Sequence, residues 1–309
     1  MRSARNLYRV NLSIAALGAL AVIAGTGFAL GRVDLAPGSI ARLLRDCRSF
    51  LLPHFTPGAL TILGLGLLSV VVFARGLRSA SRRICGCCRL LRELDVVGER
   101  RLGEARVQLI AGPRVQAFCT GFVRPRVFVS RGATDRLSEA EVTAVVAHET
   151  HHMRRRDPLR LLLLAVLEDA LFFMPALRRL RRRYAALAEL AADEAALVAV
   201  GDASHLASAL LQFGDTGLEN IVSIDAERVD HLLGSAPGWD LPVATIVGAL
   251  LTPAALLALV FATAASSTVA RTSLAQLAAQ SCMIAMTAAP ILALAGLGML
   301  GRRTMSRSH

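Results

Sequence analysis

The sequence predicts an α+β fold, in which a multi-pass α-helical membrane protein carries a water-facing domain with a small β-sheet. Three observations predict this class. Hydrophobic residues make up 54% of the 309-residue chain and include four long uncharged stretches. Between the second and third stretches lies an amphipathic helix whose histidine spacing suits a metal site, and three short strand-like segments precede that helix.

The four uncharged stretches are each long enough to cross a bilayer core of about 30 Å, which takes about 20 helical residues. They are Val10–Gly31, Phe55–Ala74, Leu241–Ala270 and Thr272–Gly301. The first could instead be a cleaved signal peptide, but it is longer than the usual apolar region and no clear small-residue cleavage site ends it. We therefore expect two spans within residues 1–76, a domain at 77–240 and two spans within 241–309.

Arginine determines the expected orientation, because every basic residue behind the net charge of +12 is an arginine. Arginines cluster before the first span, after the second and after the fourth, so the positive-inside rule places both termini and the domain in the cytoplasm. The link between the first two spans, which would then be external, opposes this orientation because it contains Arg42, Arg45 and Arg48. The charge predicts contact with anionic membrane lipid. Nucleic acid is not an expected partner, because only 5% of the residues are aromatic and no recognition module is visible.

Three segments upstream of the central helix have the pattern of short strands bounded by glycine or proline. They are Ala105–Ile110, Arg114–Thr120 and Arg126–Ser130. An exposed sheet edge could bind an extended peptide as an added strand through backbone hydrogen bonds. On that hypothesis, changing an edge residue such as Thr120 to proline should impair peptide cleavage without the loss of a bound metal.

The central helix carries the pattern H-E-x-x-H. Residues four apart lie on one helix face, so His148 and His152 can direct imidazole nitrogens at one Zn²⁺ while Glu149 projects beside them as a general base. His151 points to another face and is expected to be a surface or supporting residue. Ser138 followed by Glu141 predicts a capping box at the start of the helix. The alternative, that these are ordinary surface residues, is weakened by a second pattern downstream.

That second pattern supplies the remaining groups of a catalytic zinc site, which usually has three protein ligands and residues that orient them. Glu189 and Asp193 share one face of an Ala/Leu-rich helix at i, i+4. Glu189 is therefore the candidate third ligand, and Asp193 is the candidate acceptor of a hydrogen bond from a ligand histidine. Alone, the two acids could equally belong to a solvated helix face.

The apolar stretch Leu159–Leu177 lies between the two halves of the proposed site. A single membrane crossing there would leave His152 and Glu189 on opposite membrane faces, so the stretch cannot be a simple span if both bind one ion. Glu168 and Asp169 interrupt its centre, in agreement with this conclusion.

We expect instead a helix that starts at Asp157, which would cap it, with Pro158 in its first turn. This helix would either pack within the domain or dip into the near leaflet. Pro175 should end it before the helix that carries Glu189.

Three segments of the chain carry a resemblance to a known family: G-F-V-R-P-R-V-F-V-S (121–130), L-S-E-A-E (137–141) and A-V-V-A-H-E-T-H-H-M-R-R-R-D-P (144–158). They resemble the membrane metallopeptidases of the BlaR/MecR type, and the E-x-x-x-D of 189–193 is similar to that of this group and of HtpX-like proteases. The resemblance implies a zincin-like metallopeptidase domain in which His148, His152 and Glu189 bind zinc and Glu149 is the general base. It covers about residues 60–300, and its specific part is 107–195.

The chain departs from the receptors of that family after Gly301, where eight residues remain without an S-x-x-K context. It resembles the protease module without the C-terminal sensor domain, so β-lactam sensing is not expected. The alanine-rich, lysine-free composition is typical of a GC-rich bacterial genome, and the expected location is a bacterial plasma membrane.

The cysteines suggest a second metal site less convincingly. Cys85, Cys87 and Cys88 form C-x-C-C, which lacks the paired C-x-x-C spacing of a structural zinc module. We expect reduced thiols there, with a metal or redox role as the alternative. The remaining cysteines, Cys47, Cys119 and Cys282, are expected to be apolar fillers.

The expected activity is therefore that of a zinc metalloendopeptidase acting on a cytoplasmic or membrane-proximal protein in regulatory proteolysis and signal transduction. A transcriptional repressor is among the candidate substrates. The alternatives are an HtpX-like quality-control protease and a non-catalytic, zinc-containing signalling scaffold. Three residues could stabilise the oxyanion, namely Tyr184, His205 and His231. The sequence does not indicate which of these three residues acts, and it does not indicate the oligomeric state.

Overall fold

The computed structural model describes residues 2–34, 57–103, 105–214, 243–265 and 272–273. Its helices are α1 (Arg2–Arg32), α2 (Pro57–Glu93), α3 (Arg131–Arg136), α4 (Glu139–Arg155), α5 (Asp157–Ala170), α6 (Pro175–Val200), α7 (Ala203–Gly214) and α8 (Val243–Ala265). Its strands are β1 (Val33–Asp34), β2 (Val96–Leu102), β3 (Ala105–Ile110), β4 (Ala117–Thr120), β5 (Arg126–Ser130) and β6 (Thr272–Ser273). The fold is a mostly helical α+β arrangement, as predicted.

Three of the described helices are long and apolar enough to cross a membrane: Ala4–Arg32, Leu60–Glu93 and Ala244–Ala265. They correspond to the first three predicted spans. The fourth, Thr272–Gly301, lies outside the described residues except for strand β6. Helix α2 has 37 residues, or about 55 Å, so only part of it can lie within a bilayer core of about 30 Å.

The chain divides into two compact units. One contains Met1–Gly18 and Val72–Thr252, and the other contains Ala19–Val71 and Pro253–His309. In the second unit, Ala29, Ile62, Leu65 and Val260 form an apolar cluster, and strands β1 and β6 pair in parallel. The first unit contains the four-stranded sheet and all of the predicted metal-site residues.

The sheet has the strand order β2-β3-β5-β4, with β3 and β5 parallel and both outer pairs antiparallel. The structure confirms the predicted strands at 105–110 and 126–130. The third predicted strand is shorter and begins at Ala117, because Ser130 Oγ donates to Arg114 O and accepts from Gln116 N at 2.6 and 3.0 Å. Strand β2 was not predicted, since its charged sequence V-V-G-E-R-R-L is exposed almost throughout and shows no alternation.

Helix α4 is fixed at one end by its cap and along its length by the sheet. The predicted capping box is confirmed: Ser138 N donates to Glu141 Oε2 at 2.7 Å, and Glu141 N donates to Ser138 Oγ at 3.3 Å. An apolar core then joins valines of the strands to valines of the helix. It includes Val107, Val127, Val129, Val142, Val145 and Val146. Burial of these side chains sets the rotation of α4 and so the direction of its histidines.

Helices α5 and α6 pack against each other as a hairpin, and α5 is not among the described helices that are long and apolar enough to cross a membrane. Helix α5 has 14 residues, or about 21 Å. The two acids in its last turns pair within the unit, Glu168 with Arg181 and Asp169 with Arg83. This agrees with the prediction that Leu159–Leu177 is not a simple span. Helix α5 ends at Ala170, five residues before the expected break at Pro175, which is the first residue of α6.

The predicted cap of α5 is wrong. The N-cap is Arg156, a left-handed residue with φ 54° whose side chain makes no capping hydrogen bond. Asp157 lies one position further on, and its carboxylate is turned away from the helix end towards the metal-site residues.

Candidate metal centre

Helices α4 and α6 bring the three predicted ligands together. His148 Nε2 and His152 Nε2 are 3.2 Å apart. Glu189 Oε2 lies 3.5 Å from His148 Nε2, and Glu189 Oε1 lies 3.5 Å from His152 Nε2. Within the described residues, these three form the one cluster of His, Cys, Asp or Glu side chains that could hold a metal ion.

These separations fit a tetrahedral zinc site. Two ligand atoms at about 2.05 Å from a tetrahedral metal are about 3.3 Å apart, and the three observed distances bracket that value. Alanines make the close approach possible, since Ala144 on α4 and Ala192 and Ala196 on α6 are completely buried. Small side chains on facing helices allow their backbones to approach closely.

Each histidine has a carboxylate on its other ring nitrogen. His148 Nδ1 lies 3.0 Å from Asp193 Oδ1, and His152 Nδ1 lies 3.0 Å from Asp157 Oδ2. Such partners favour the tautomer with hydrogen on Nδ1 and leave both Nε2 lone pairs directed at the same point. Two lone pairs 3.2 Å apart repel unless a cation lies between them, so the donor set fits a divalent metal.

The carboxylates also make the site strongly favourable for positive charge. Burial lowers the pKa of His148, but the carboxylates of Asp193, Glu189 and Glu149 outweigh this effect and raise the pKa to about 10. The Glu189 side chain is 40% exposed, whereas those of His148 and His152 are 11% and 12% exposed. The site is therefore buried on the histidine side and open to the surface at Glu189.

Glu149 lies beside the cluster without belonging to it. Its carboxylate accepts a hydrogen bond from the backbone N–H of Cys119, and burial raises its pKa, although His148 and His152 act in the opposite direction. A carboxylate whose pKa is raised in this way accepts a proton from a nearby water more readily than an ordinary glutamate does. His151 is outside the cluster, as expected, and burial together with Arg155 lowers its pKa to about 4.

Asp157 is the supporting residue that the sequence reasoning missed. It is 1% exposed and also accepts a hydrogen bond from Tyr184 Oη at 2.8 Å. Burial alone would raise its pKa, but the hydrogen bonds from His152 and Tyr184 hold the pKa of Asp157 below its usual range. The available signal was an acid five residues after His152, in a segment interpreted only as a helix start.

Strand β4 is an edge of the described sheet and borders the cluster. Ser130 N donates to Gln116 O at 2.8 Å, which marks residue 116 as a paired position facing β5. Backbone groups alternate in an antiparallel pair, so residues 118 and 120 also face β5, whereas Ala117 and Cys119 direct their N–H and C=O groups outwards. The hydrogen bond from Cys119 to Glu149 agrees with this assignment.

The structure places the three candidates for the oxyanion donor differently. Tyr184 is fully buried and donates its hydroxyl hydrogen to Asp157, so that donor is already used. His205 lies on α7 near Glu141, at the opposite end of α4 from the metal ligands. His231 lies outside the described residues.

The cysteines show no second cluster among the described residues. Cys85, Cys87, Cys88 and Cys119 are free thiols, and none belongs to a group of potential ligands within that part of the chain. Burial, together with Glu149 and Asp157, raises the pKa of Cys119 to about 12, so this thiol stays protonated at neutral pH. Cys47 and Cys282 lie outside the described residues.

Comparison with known proteins adds a family to this geometry. The model of the family described as BlaR1 peptidase M56 matches residues 58–222, which is more than half of the chain and includes every residue of the cluster. No curated protein matches the chain, and no solved structure does.

Proposed function

Because the chain belongs to the BlaR1 peptidase M56 family, and is thus a membrane-associated metallopeptidase, we propose that it is a zinc metalloendopeptidase. In this proposal His148, His152 and Glu189 bind Zn²⁺, Glu149 is the general base, and Asp193 and Asp157 orient the two histidines. One observation carries the proposal. The two histidine Nε2 atoms are 3.2 Å apart, and each lies 3.5 Å from one oxygen of the Glu189 carboxylate, which is close to the spacing of about 3.3 Å between ligand atoms around tetrahedral zinc.

Bound zinc would act as a Lewis acid towards the scissile carbonyl and lower the pKa of an attacking water to about 7. Glu149 would accept a proton from that water and deliver it to the leaving amine nitrogen. The hydrogen bond from Cys119 N–H fixes the Glu149 carboxylate on the β4 side of the cluster. The acids Asp193 and Asp157 keep both imidazoles in the ligating tautomer throughout.

The proposed substrate is an extended protein segment. Ala117 offers an outward N–H and C=O, and Cys119 offers an outward C=O, on the same edge whose Cys119 N–H binds Glu149, so a peptide added to β4 would run past the metal ligands. Because the N–H of Thr120 faces β5, proline there would also break the sheet. Ala117→Pro is the more selective test, since it removes an outward N–H and leaves the hydrogen bonds of the β4–β5 pair in place.

The proposed setting is regulatory proteolysis at the cytoplasmic face of a bacterial plasma membrane, with a transcriptional repressor among the candidate substrates. The cluster of arginines on the C-terminal half of α2 and those of residues 2–9 support this orientation. An HtpX-like quality-control protease would use the same site. A single partner cleaved at one bond would indicate regulation, and cleavage of many misfolded membrane proteins would indicate quality control.

The test compares purified full-length wild type, Glu149→Gln and the matched control Glu139→Gln, an exposed glutamate on the same helix. We expect about one zinc per chain in all three, measured by metal analysis. Cleavage of an unfolded protein should fall at least about 100-fold in Glu149→Gln and stay at the wild-type rate in the control.

Two results would count against the proposal. Absence of zinc from carefully metal-preserved wild type would overturn the ligand assignment. Zinc with equal cleavage by wild type and Glu149→Gln would overturn the role of Glu149, whereas partner capture without any cleavage would identify a zinc-containing scaffold.

A further inference from the structure

A continuous set of contacts leads from His152 away from the metal. His152 Nδ1 lies 3.0 Å from Asp157 Oδ2, and the other oxygen of this carboxylate accepts a hydrogen bond from Tyr184 Oη at 2.8 Å. Tyr184 is completely buried, and Asp157 is 1% exposed. Neither side chain can therefore change its partner for water without the surrounding structure opening.

The contacts continue to Tyr8 on the N-terminal helix α1. The ring centroids of Tyr8 and Tyr184 are 5.6 Å apart with an interplanar angle of 48°, within the usual range of a packed aromatic pair. The guanidinium carbon of Arg160 lies 5.3 Å from the centroid of the Tyr8 ring, at the distance of a cation–π contact.

Arg160 provides a second set of contacts between Tyr8 and the same carboxylate. Its Nη1 atom lies 3.7 Å from Asp157 Oδ1, the oxygen that also accepts from Tyr184. Tyr8 therefore touches two side chains, Tyr184 and Arg160, and each of them contacts Asp157. Displacement of the Tyr8 ring would therefore remove one packing contact from Tyr184 and one from Arg160.

The surroundings of Tyr8 hold its helix firmly in this unit. One face of the first half of α1 is buried, through Ala4, Leu7, Asn11, Ile14 and Ala15. These positions recur at helical spacing and so form a single stripe. Gly18 continues the stripe, since a Cβ there would approach Met174 Sδ to 2.5 Å. By contrast, Val10 is 40% exposed on the same helix.

We propose that Tyr8 is a positioning residue of the metal site, which acts through Tyr184 and Arg160 on Asp157 and through Asp157 on His152. The inference rests on the proposed function insofar as His152 binds the metal. Helix α1 is long and apolar enough to span a membrane, so the proposal makes the metal site sensitive to the position of a membrane helix. Displacement of α1 would weaken metal binding without touching a ligand.

The experiment uses full-length protein in detergent and measures zinc affinity by competition with a chromophoric chelator. Loss of a residue that supports a metal ligand typically weakens binding 10- to 100-fold. We expect about a tenfold loss for Tyr184→Phe and about a fivefold loss for Tyr8→Leu, because Tyr8 is one contact further away. Tyr8→Phe, which keeps the ring, should restore wild-type affinity, and Val10→Ala should not change it.

Two further readouts separate positioning from a general loss of structure. The visible spectrum of the Co²⁺-substituted protein reports ligand geometry, and it should change in Tyr8→Leu and return to normal in Tyr8→Phe. Because both tyrosines act through Asp157, the double variant Tyr8→Leu/Tyr184→Phe should lose less than the product of the single losses. If Tyr8→Leu does not fold, Tyr8→Met is measured in its place.

Equal zinc affinity and an equal Co²⁺ spectrum in wild type and Tyr8→Leu would overturn the proposal, as would losses that multiply in the double variant. These outcomes are distinct from failure of the proposed function. If wild type binds no zinc, the ligand assignment fails. If wild type binds zinc and cleaves while Tyr8→Leu behaves identically, the link to α1 alone is wrong.

Discussion

The two ends of helix α4 are held in different ways. At its N-terminal end, Ser138 and Glu141 form a reciprocal capping box within four residues of sequence, joined by a hydrogen bond from Ser208 on α7. At its C-terminal end, His152 depends on Asp157, which follows the left-handed Arg156 and is fixed in turn by Tyr184 from α6. The first end is held mainly by local sequence and the second by tertiary contacts.

The metal ligands of α4 lie in its last two turns, at the end held by tertiary contacts. The difference teaches that the stability of this helix and the geometry of its site can be changed separately. Substitutions at the N-terminal end should alter stability without altering metal binding, whereas loss of the Asp157 carboxylate should weaken metal binding. Three variants test this separation.

The largest effect is expected for Asp157→Ala. Removal of the carboxylate should weaken zinc binding by about 100-fold and leave the buried Tyr184 hydroxyl without an acceptor, at a cost of about 2 kcal/mol in the free energy of unfolding. Chelator competition and denaturation of the metal-free protein measure the two effects. Asp135→Ala, which removes an exposed acid on α3, is the control, and an unchanged zinc affinity in Asp157→Ala would remove the distinction between the two ends.

A smaller and pH-dependent effect is expected for Glu141→Gln. Hydrogen bonds from Ser208 and Ser138 hold the pKa of Glu141 below its usual range. The ionised carboxylate therefore contributes stability that is fully present above the unfolded-state pKa of about 4.3 and is lost as the pH falls through the lower folded-state pKa.

At pH 7 the Glu141→Gln variant should lose about 1 kcal/mol in its free energy of unfolding, and this difference should disappear as the pH falls through the lowered folded-state pKa of Glu141. Its zinc affinity at neutral pH should stay within about twofold of wild type, because the site is distant. Denaturation curves at several pH values measure the first effect, with Glu139→Gln as control. A pH-independent difference would contradict the role of the ionised carboxylate.

The smallest effect is expected for Arg156→Gly. A left-handed non-glycine residue costs about 1 kcal/mol, and glycine would relieve that strain. The greater conformational freedom of glycine in the unfolded chain would offset part of this gain. The net expectation is a gain of about 0.5 kcal/mol in the free energy of unfolding, with zinc affinity unchanged. Arg155→Gly, one residue earlier and helical, should instead lose about 1 kcal/mol. A destabilised Arg156→Gly variant would show that the arginine side chain matters more than its backbone.

The same division explains how much of the molecule could be predicted from sequence. The pairs His148/His152 and Glu189/Asp193 follow from the helical period, and the capping box follows from a spacing of three residues. Each of these features is local. Their meeting in space was predicted only because two histidines and a glutamate suit one ion, and the structure brings these three residues together through helices α4 and α6.

The missed features depend on contacts between distant parts of the chain. Asp157 reaches His152 because the left-handed conformation of Arg156 changes the chain direction between α4 and α5. In the sequence, the proline at position 158 made a helix cap the simpler interpretation of Asp157. Strand β2 (Val96–Leu102) forms by antiparallel pairing with β3, and its own sequence shows no alternation of apolar and polar residues. Tyr184 was one of three open candidates for an oxyanion donor, and its hydrogen bond to Asp157 became visible only from the packing of α6 against α5.

The buried stripe on the first half of α1 has a practical consequence for work on soluble fragments. Leu7, Ile14 and Ala15 are covered in the same compact unit that contains the metal site. A fragment that begins after this helix would expose the apolar groove that now receives it, and exposed apolar surface of that kind promotes aggregation. Biochemistry on a fragment without α1 would then report on a damaged surface, and the full-length protein in detergent or lipid is the sounder material.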